Sequence, residues 1–459
     1  MESFLVNKLP KLLRTFRDSV ELQVIFHNFS WLLLGRFAMQ AIAGLMSIWI
    51  ARHLGPNDFG LLMYVFAVVM FAEPFISIGT GNLIVRDLVA QPDEQKRAGI
   101  LASGLVINTA GAGLLFTALQ IMAWFRQWED TRTGPLLAAM SFMLLPKCLQ
   151  IFDFWFESRI ESRYTIISQL SATVLGSALR CILILTSMPL IYYAYTFNIQ
   201  AILVAILLLA YFIHPRHSLG RWHIQWSYTY KILWEGFPLI ISTAGVMIML
   251  RIDQLMLKEF TNAYIVGQYS VAMLLVSCVQ MIALSICSSI FPKMIQQHQT
   301  NPQAFNIWIN SLYRYATWGM VAVSIFTSLF APWGIRLLFG DEYQEAGRIL
   351  QVLIWSSAPW TLSALQTRWL YVKNASFPIG MIAISSAGID VLLNALLIHQ
   401  YQGIGAAWAT LLAHGCMALM MPFFWTIARP CGRDGWKTVF WPMLLLAKLL
   451  GNSDCRSHD

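Results

Sequence analysis

Apolar positions in this chain are gathered into long unbroken runs separated by short polar stretches, with neither the period-two alternation of strands nor the one-sided stripe of soluble helices. Counting runs of about 18 residues or more places twelve membrane spans, at roughly 29–50, 59–79, 99–124, 135–156, 166–186, 189–212, 236–256, 265–291, 306–330, 349–371, 378–399 and 404–427. The run from Trp436 to Leu450 carries Pro442 and is shorter than the ~17–25 residues a span needs, so it reads as interfacial or as a vestigial thirteenth helix. The seventh run is unusual. It opens with Phe237-Pro238 and keeps two charges, Arg251 and Asp253, near its far end. Side chains two apart on a helix point to nearly opposite sides, so these two cannot simply neutralise each other, and each needs its own partner or water.

Composition agrees with the pattern. The chain has 459 residues, 57% of them apolar and only 12% charged, against the ~45–50% and ~25% usual in soluble domains. The expectation is an all-α polytopic membrane protein with two lobes of six helices. Its formal net charge of +8 does not point to nucleic acid, because the basic residues are spaced along short loops and not clustered in one soluble block. Assigning alternate loops to opposite sides gives about 17 Lys and Arg on the side of the N-terminus and about 6 on the other, which places both termini in the cytoplasm. Residues 1–28, with Lys8, Lys11, Arg14 and Arg17, read as a basic segment on the cytoplasmic membrane surface. The seven cysteines contain no Cys-x-x-Cys pair and fall mostly inside apolar runs, so they are expected as buried thiols, with no metal site and no cofactor.

The longest cytoplasmic connection, 214–235, divides the chain into an N-terminal lobe, 29–213, and a C-terminal lobe, 236–428, followed by a tail, 429–459. A weak internal repeat supports this division: Leu54-Gly-Pro-Asn-Asp-Phe-Gly60 after the first span is echoed by Phe260-Thr-Asn-Ala-Tyr-Ile-Val-Gly267 after the seventh. The same offset brings Arg86 onto Lys293. Because each half holds an even number of spans, the two repeats keep the same orientation, with a substrate path expected between them.

Charges within spans are the candidate chemistry. Arg36, Lys147, Arg180, Arg251, Arg314 and Arg368 lie within spans, with Glu73, Asp153 and Asp390 as acids. Six cations facing lipid at ~2.5–3.5 kcal/mol each would cost more than the ~5–15 kcal/mol of net stability a domain has, so most must face an interior. Arg36, Lys147, Arg180, Arg251 and Arg314 are the candidate contacts for an anionic substrate, since guanidinium groups hold phosphate oxygens bidentately. Arg36 and Glu73 lie at about the same depth, ~10 Å from the cytoplasmic ends of adjacent spans, and are expected to pair. Asp390 and His414 both fall near the midplane of a ~30 Å core. With Asp253 they are the candidates for ion coupling or for fixed hydrogen bonds between helices. Tryptophans such as Trp155, Trp234 and Trp333 are expected in interfacial belts in preference to sugar platforms.

The segment Ala51-Arg-His-Leu-Gly-Pro-Asn-Asp-Phe-Gly60 with Tyr64, the Phe237-Pro238 and Arg251-Ile-Asp253 span, Gly267-Gln-Tyr269 and Phe291-Pro292-Lys293 together resemble the polysaccharide exporters of the multidrug/oligosaccharidyl-lipid/polysaccharide superfamily, specifically O-antigen-type flippases. The resemblance covers roughly residues 29–430. It implies two six-helix lobes that alternate access and turn an undecaprenyl-diphosphate-linked oligosaccharide from the inner to the outer leaflet of a bacterial inner membrane. A polysaccharide polymerase and a chain-length regulator are the partner proteins it implies. Some relatives carry two further helices, so a lipid-tail groove built from those is not expected here.

Two other classes compete. A membrane enzyme of the same pathway, a polymerase or glycosyltransferase, would need a sizeable outer loop or an acidic metal-binding pair, and the chain has no Asp-x-Asp, Walker or His-Glu-x-x-His motif. A multidrug antiporter handling cationic compounds would be expected to present acids, whereas cations outnumber acids about two to one within the spans.

Overall fold

The computed structural model describes residues 20–129, 131–213, 222–300, 302–373 and 375–441. Most of the basic segment expected at 1–28, the 214–221 part of the linker and the apolar tail beyond Trp441 lie outside these. Among the described residues all regular structure is helical: α1 Val20–Ala72, α2 Gly81–Ala90, α3 Glu94–Glu129, α4 Thr133–Ser141, α5 Ile151–Ser158, α6 Ser162–Leu185, α7 Leu190–Ile213, α8 Trp226–Phe260, α9 Ala263–Thr300, α10 Pro302–Phe339, α11 Gln344–Leu353, α12 Ser357–Val372, α13 Ser376–Leu419 and α14 Arg429–Val439.

Eight helical stretches are long and apolar enough to cross a membrane, and the bent pair Trp226–Phe237 and Ser242–Phe260, which meets at 57°, makes a ninth. Two of the eight, Trp31–Phe75 with 45 residues and Phe377–Phe424 with 48, have the length of two spans each. Both are broken where the sequence places a loop. The first breaks at Gly55, where φ is 71° and ψ is 170°, a backbone that suits a residue without a side chain. The second breaks at Gln402, with φ 49° and ψ −127°. There the chain turns back on itself: Gly405 lies so close to the Leu397 carbonyl that a Cβ would not fit, whereas in a straight helix they would be ~12 Å apart. The run expected at 349–371 is divided between α11, of 10 residues, and α12, of 16, by a 3-10 turn at Ile354–Ser356.

The described chain forms two compact units. One comprises residues up to Ser47 with Ala72–Pro238, and the other comprises Ile48–Phe71 with the residues from Leu239 onward. In the first unit, Ile84, Leu88, Phe152, Trp155, Phe156 and Phe212 form the packed centre. Trp155 belongs to this centre, only 1% exposed and edge-on to Phe212, and is no part of an interfacial belt. The helix α2 is fixed to the first arm of α8 by Arg86 to Glu235 at 3.1 Å and by Tyr228 donating to Asp87 at 3.1 Å.

In the second unit, Cys287, Phe305, Tyr313, Leu362 and Trp369 pack together. The short helix α14 is docked on this unit by Trp318, whose indole N–H reaches the Thr438 carbonyl at 2.9 Å. Gln366 adds bonds to the carbonyls of Ala418 and Cys431 at 3.0 and 3.2 Å. Gly60 and Gly267, the glycines that close the two copies of the repeat, lie backbone against backbone within this unit, and neither has space for a Cβ.

Candidate functional site

The charged centre of the first unit is built on two broken spans. Pro74 lacks an N–H, so α1 cannot continue through it; the chain passes into a 3-10 turn at Glu73–Phe75 and then into left-handed backbone at Ile78 and Gly79, with φ of 51° and 71°. A β-branched residue pays for that conformation, and the surroundings enforce it. Gly111 of α3 approaches the Ile76 carbonyl, and Gly236 of α8 approaches the Ile78 carbonyl, each too closely for a side chain. Thr80 also caps the Ser77 carbonyl at 2.6 Å. The second break lies between α4 and α5, where Pro146 opens a 3-10 stretch, Pro146–Gln150. Irregular backbone at membrane depth is tolerated where it is enclosed by protein or lines a water-filled cavity.

A charge stands beside each proline. The Lys147 ammonium meets the Glu73 carboxylate at 2.5 Å, with side chains 31% and 20% exposed, so the pair is partly buried. This corrects the expected partner: Glu73 takes Lys147, not Arg36. Depth alone could not distinguish the two cations. Arg36 is exposed on α1 and acts electrostatically on Asp153 and Glu157 of α5. Asp153 also feels Lys147 and accepts a hydrogen bond from Thr165 at 2.5 Å. Acids therefore stand beside both Lys147 and Arg36.

Arg180 differs. It is 4% exposed, donates to Thr196 and Gln200 at 2.9 Å each, and lies 4.0 Å from the centre of the Phe197 ring. Neutral acceptors and a ring face hold this guanidinium between α6 and α7, where it braces the two helices and is closed to an incoming ligand. In the second unit Arg251 is half-buried with its guanidinium 5.8 Å from the Phe66 ring, and Arg314 is half-buried at 5.6 Å from Trp441.

The second unit contains a fully buried polar cluster. Asp253, on the second arm of α8, accepts hydrogen bonds from the Tyr269 hydroxyl, from Thr410 at 2.8 Å and from the Asn394 amide at 2.7 Å. The same Asn394 nitrogen lies 3.2 Å from the Asp390 carboxylate. Two carboxylates thus share one neutral amide bridge. Asp390 Oδ2, Asn394 Oδ1 and Gln254 Oε1 are buried without a hydrogen-bond partner among the described residues. A buried acceptor is costly unless something donates to it or coordinates it.

His414 does not join Asp390, as sequence depth suggested; its Nδ1 bonds to the Thr410 carbonyl one turn back at 2.8 Å. Helical rotation, which depth does not report, decides this. Among the described residues no group of three or more His, Cys, Asp or Glu side chains converges as a metal site. The oxygens around Asp253 and Asp390 are hard donors of the kind that hold an alkali cation or a proton.

Sequence reasoning missed Asn394, Thr410 and the role of Tyr269. A signal was available. Asp390 and Asn394, and Thr410 and His414, stand four apart within apolar spans, so each pair presents two polar groups on one helix face.

Comparison with known proteins agrees with this architecture. Residues 25–298, more than half the chain, match the family described as "Polysaccharide biosynthesis protein", and the chain belongs to that family. It is 23% identical to the probable flippase AglR of Haloferax volcanii over 393 residues, covering 81% of this chain and 77% of that protein. It is 21% identical over 192 residues to a putative O-antigen transporter of Shigella dysenteriae, covering 41% of this chain and 47% of the relative. Its fold is similar to that of the lipid II flippase MurJ in an inward closed conformation, with a TM-score of 0.66 at 13% identity over 90% of this chain and 92% of the other. The protein is a multi-pass membrane transporter of the flippase type in polysaccharide biosynthesis.

Proposed function

We propose that the protein turns an undecaprenyl-diphosphate-linked oligosaccharide from the inner to the outer leaflet of the bacterial inner membrane by alternating access, for O-antigen, exopolysaccharide or capsule assembly. The observation that carries this reading is the placement of Lys147. It is a half-exposed cation on an interrupted span, beside a second interrupted span, in a chain of a polysaccharide-biosynthesis family. Lys147 and Arg36, both of the first unit, receive the diphosphate, while Arg180 braces α6 against α7. The two six-helix lobes at 29–213 and 236–428, with twelve crossings and cytoplasmic termini, form the moving parts.

Moving about two negative charges outward, down a negative-inside potential, releases ~2.3 kcal/mol per charge per 100 mV, so ATP is not required for the loaded step. The Asp253–Asn394–Asp390 cluster, with Thr410, takes up the coupling cation or proton that resets the empty carrier. The test is complementation: in a strain lacking its own O-antigen flippase, the chain should restore surface glycan. Lys147→Gln should remove that activity while the protein stays in the membrane. Full surface glycan with Lys147→Gln would remove the proposed substrate contact.

A further inference from the structure

We infer that Glu73 is a built-in competitor for the substrate, and that it sets which anionic lipids the transporter accepts. This rests on the reading of Lys147 as the contact for the substrate's phosphates. Glu73 already occupies the Lys147 ammonium at 2.5 Å, so an incoming anion must replace a carboxylate that is in place. An empty cationic site in a membrane would attract every anionic headgroup, and ordinary phospholipids are far more abundant than a lipid-linked sugar.

The geometry supplies discrimination. A phosphodiester headgroup, as in phosphatidylglycerol, carries one negative charge, which is no more than the carboxylate it would displace. Displacement would also strand the Glu73 carboxylate in a half-buried place without its cation. A diphosphate carries two charges and more acceptor oxygens. It can take Lys147 while its second phosphate reaches another cation, and it draws on Arg36, which is exposed and acts on Asp153 and Glu157. Glu73 is able to yield because it stands at the end of α1, on a 3-10 turn next to Pro74, and its release breaks no regular helix.

The exchange involves no covalent step: one anion leaves the ammonium and another takes its place. Neutralising Glu73 should therefore not abolish transport of anions but broaden it. Without Glu73, Lys147 loses the carboxylate in direct contact and keeps the electrostatic influence of Asp153, so a monoanionic headgroup can take the vacated contact.

The experiment uses the full chain in proteoliposomes with two fluorescent probes, bleached from outside by dithionite: a labelled phosphatidylglycerol and a labelled undecaprenyl-diphosphate-linked monosaccharide. The wild type is expected to flip the diphosphate probe and to leave phosphatidylglycerol at the rate of protein-free vesicles. Glu73→Gln should raise phosphatidylglycerol flipping about tenfold above the wild type, the effect of one charged competitor removed. Glu73→Asp, which keeps the charge, should stay selective.

If Glu73→Gln does not reach the membrane, the double change Glu73→Gln with Lys147→Gln strands no charge and reports in its place. It should flip neither probe. Selectivity unchanged in Glu73→Gln, or diphosphate flipping at the wild-type rate in the double variant, would overturn the inference. A wild type that fails to flip the diphosphate probe would instead remove the functional reading on which the inference stands.

Discussion

The Lys147 ammonium and the Glu73 carboxylate meet at 2.5 Å where two membrane spans lose their helical hydrogen bonding beside Pro146 and Pro74. Each residue alone would be a charge at membrane depth. Together they form a neutral unit that remains partly exposed.

A double-mutant cycle measures that relationship. Lys147→Ala or Glu73→Ala leaves one charge without its partner, whereas the double change leaves none, so the double variant should be more stable than the sum of the singles by about 1–3 kcal/mol. Thermal unfolding of the four proteins in one detergent reads the coupling. Strict additivity would mean that the pair contributes nothing in the membrane protein.

Much of this fold was legible from hydrophobic patterning, and the reasons for the misses are physical. Runs of apolar residues located the membrane-crossing stretches, and Gly55 fell in the segment singled out as a loop between two of them. Depth along a span was legible too, because rise per residue is fixed. Rotation was not. Arg36 and Lys147 were both candidate cations at plausible depth, and only the course of α4 and α5 through Pro146 decides which one reaches Glu73. The same ambiguity linked Asp390 with His414, when Asn394, one turn along the same helix, was the group that turned toward both Asp390 and Asp253. Asn394 and Thr410 carry no formal charge, so the high cost of burial that marks a charged residue within a span does not mark them.

Arg180 should behave as a structural residue. Its guanidinium is enclosed and bonded to Thr196 and Gln200, so Arg180→Ala removes two charge-assisted hydrogen bonds and the ring contact, with an expected loss of about 2–4 kcal/mol. Export and folded yield should fall together. Normal folded yield with export abolished would show instead that Arg180 meets the substrate in another conformation.

Gly60 and Gly267 test the contact between the two copies of the repeat. Each backbone lies against the other segment with no space for a Cβ, so Gly60→Val or Gly267→Val should destabilise the second unit by at least ~1–3 kcal/mol, the usual cost of overpacking. A lowered melting temperature in detergent is the expected readout. Gly113, where a Cβ meets open space, serves as the control, and Gly113→Ala should leave the melting temperature close to that of the wild type.

The buried cluster around Asp253 and Asp390 should govern coupling, not substrate recognition. Asp253→Asn and Asp390→Asn keep the shape of the site and remove one charge each. Either variant should lose the dependence of flipping on a sodium or proton gradient while retaining binding of the lipid-linked substrate. His414→Gln, at a side chain bonded only to its own helix among the described contacts, should keep that dependence. Gradient dependence preserved in both aspartate variants would place coupling elsewhere.

The central claim is that this chain by itself moves a lipid-linked oligosaccharide across a bilayer and uses Lys147 to do so. The most direct measurement is the rate at which a fluorescent undecaprenyl-diphosphate-linked oligosaccharide becomes accessible to an external quencher in proteoliposomes holding only the purified protein. The account predicts a rate well above that of protein-free vesicles, reduced to the vesicle background by Lys147→Gln. A wild-type rate equal to the background, or an accelerated rate that Lys147→Gln leaves unchanged, would contradict it.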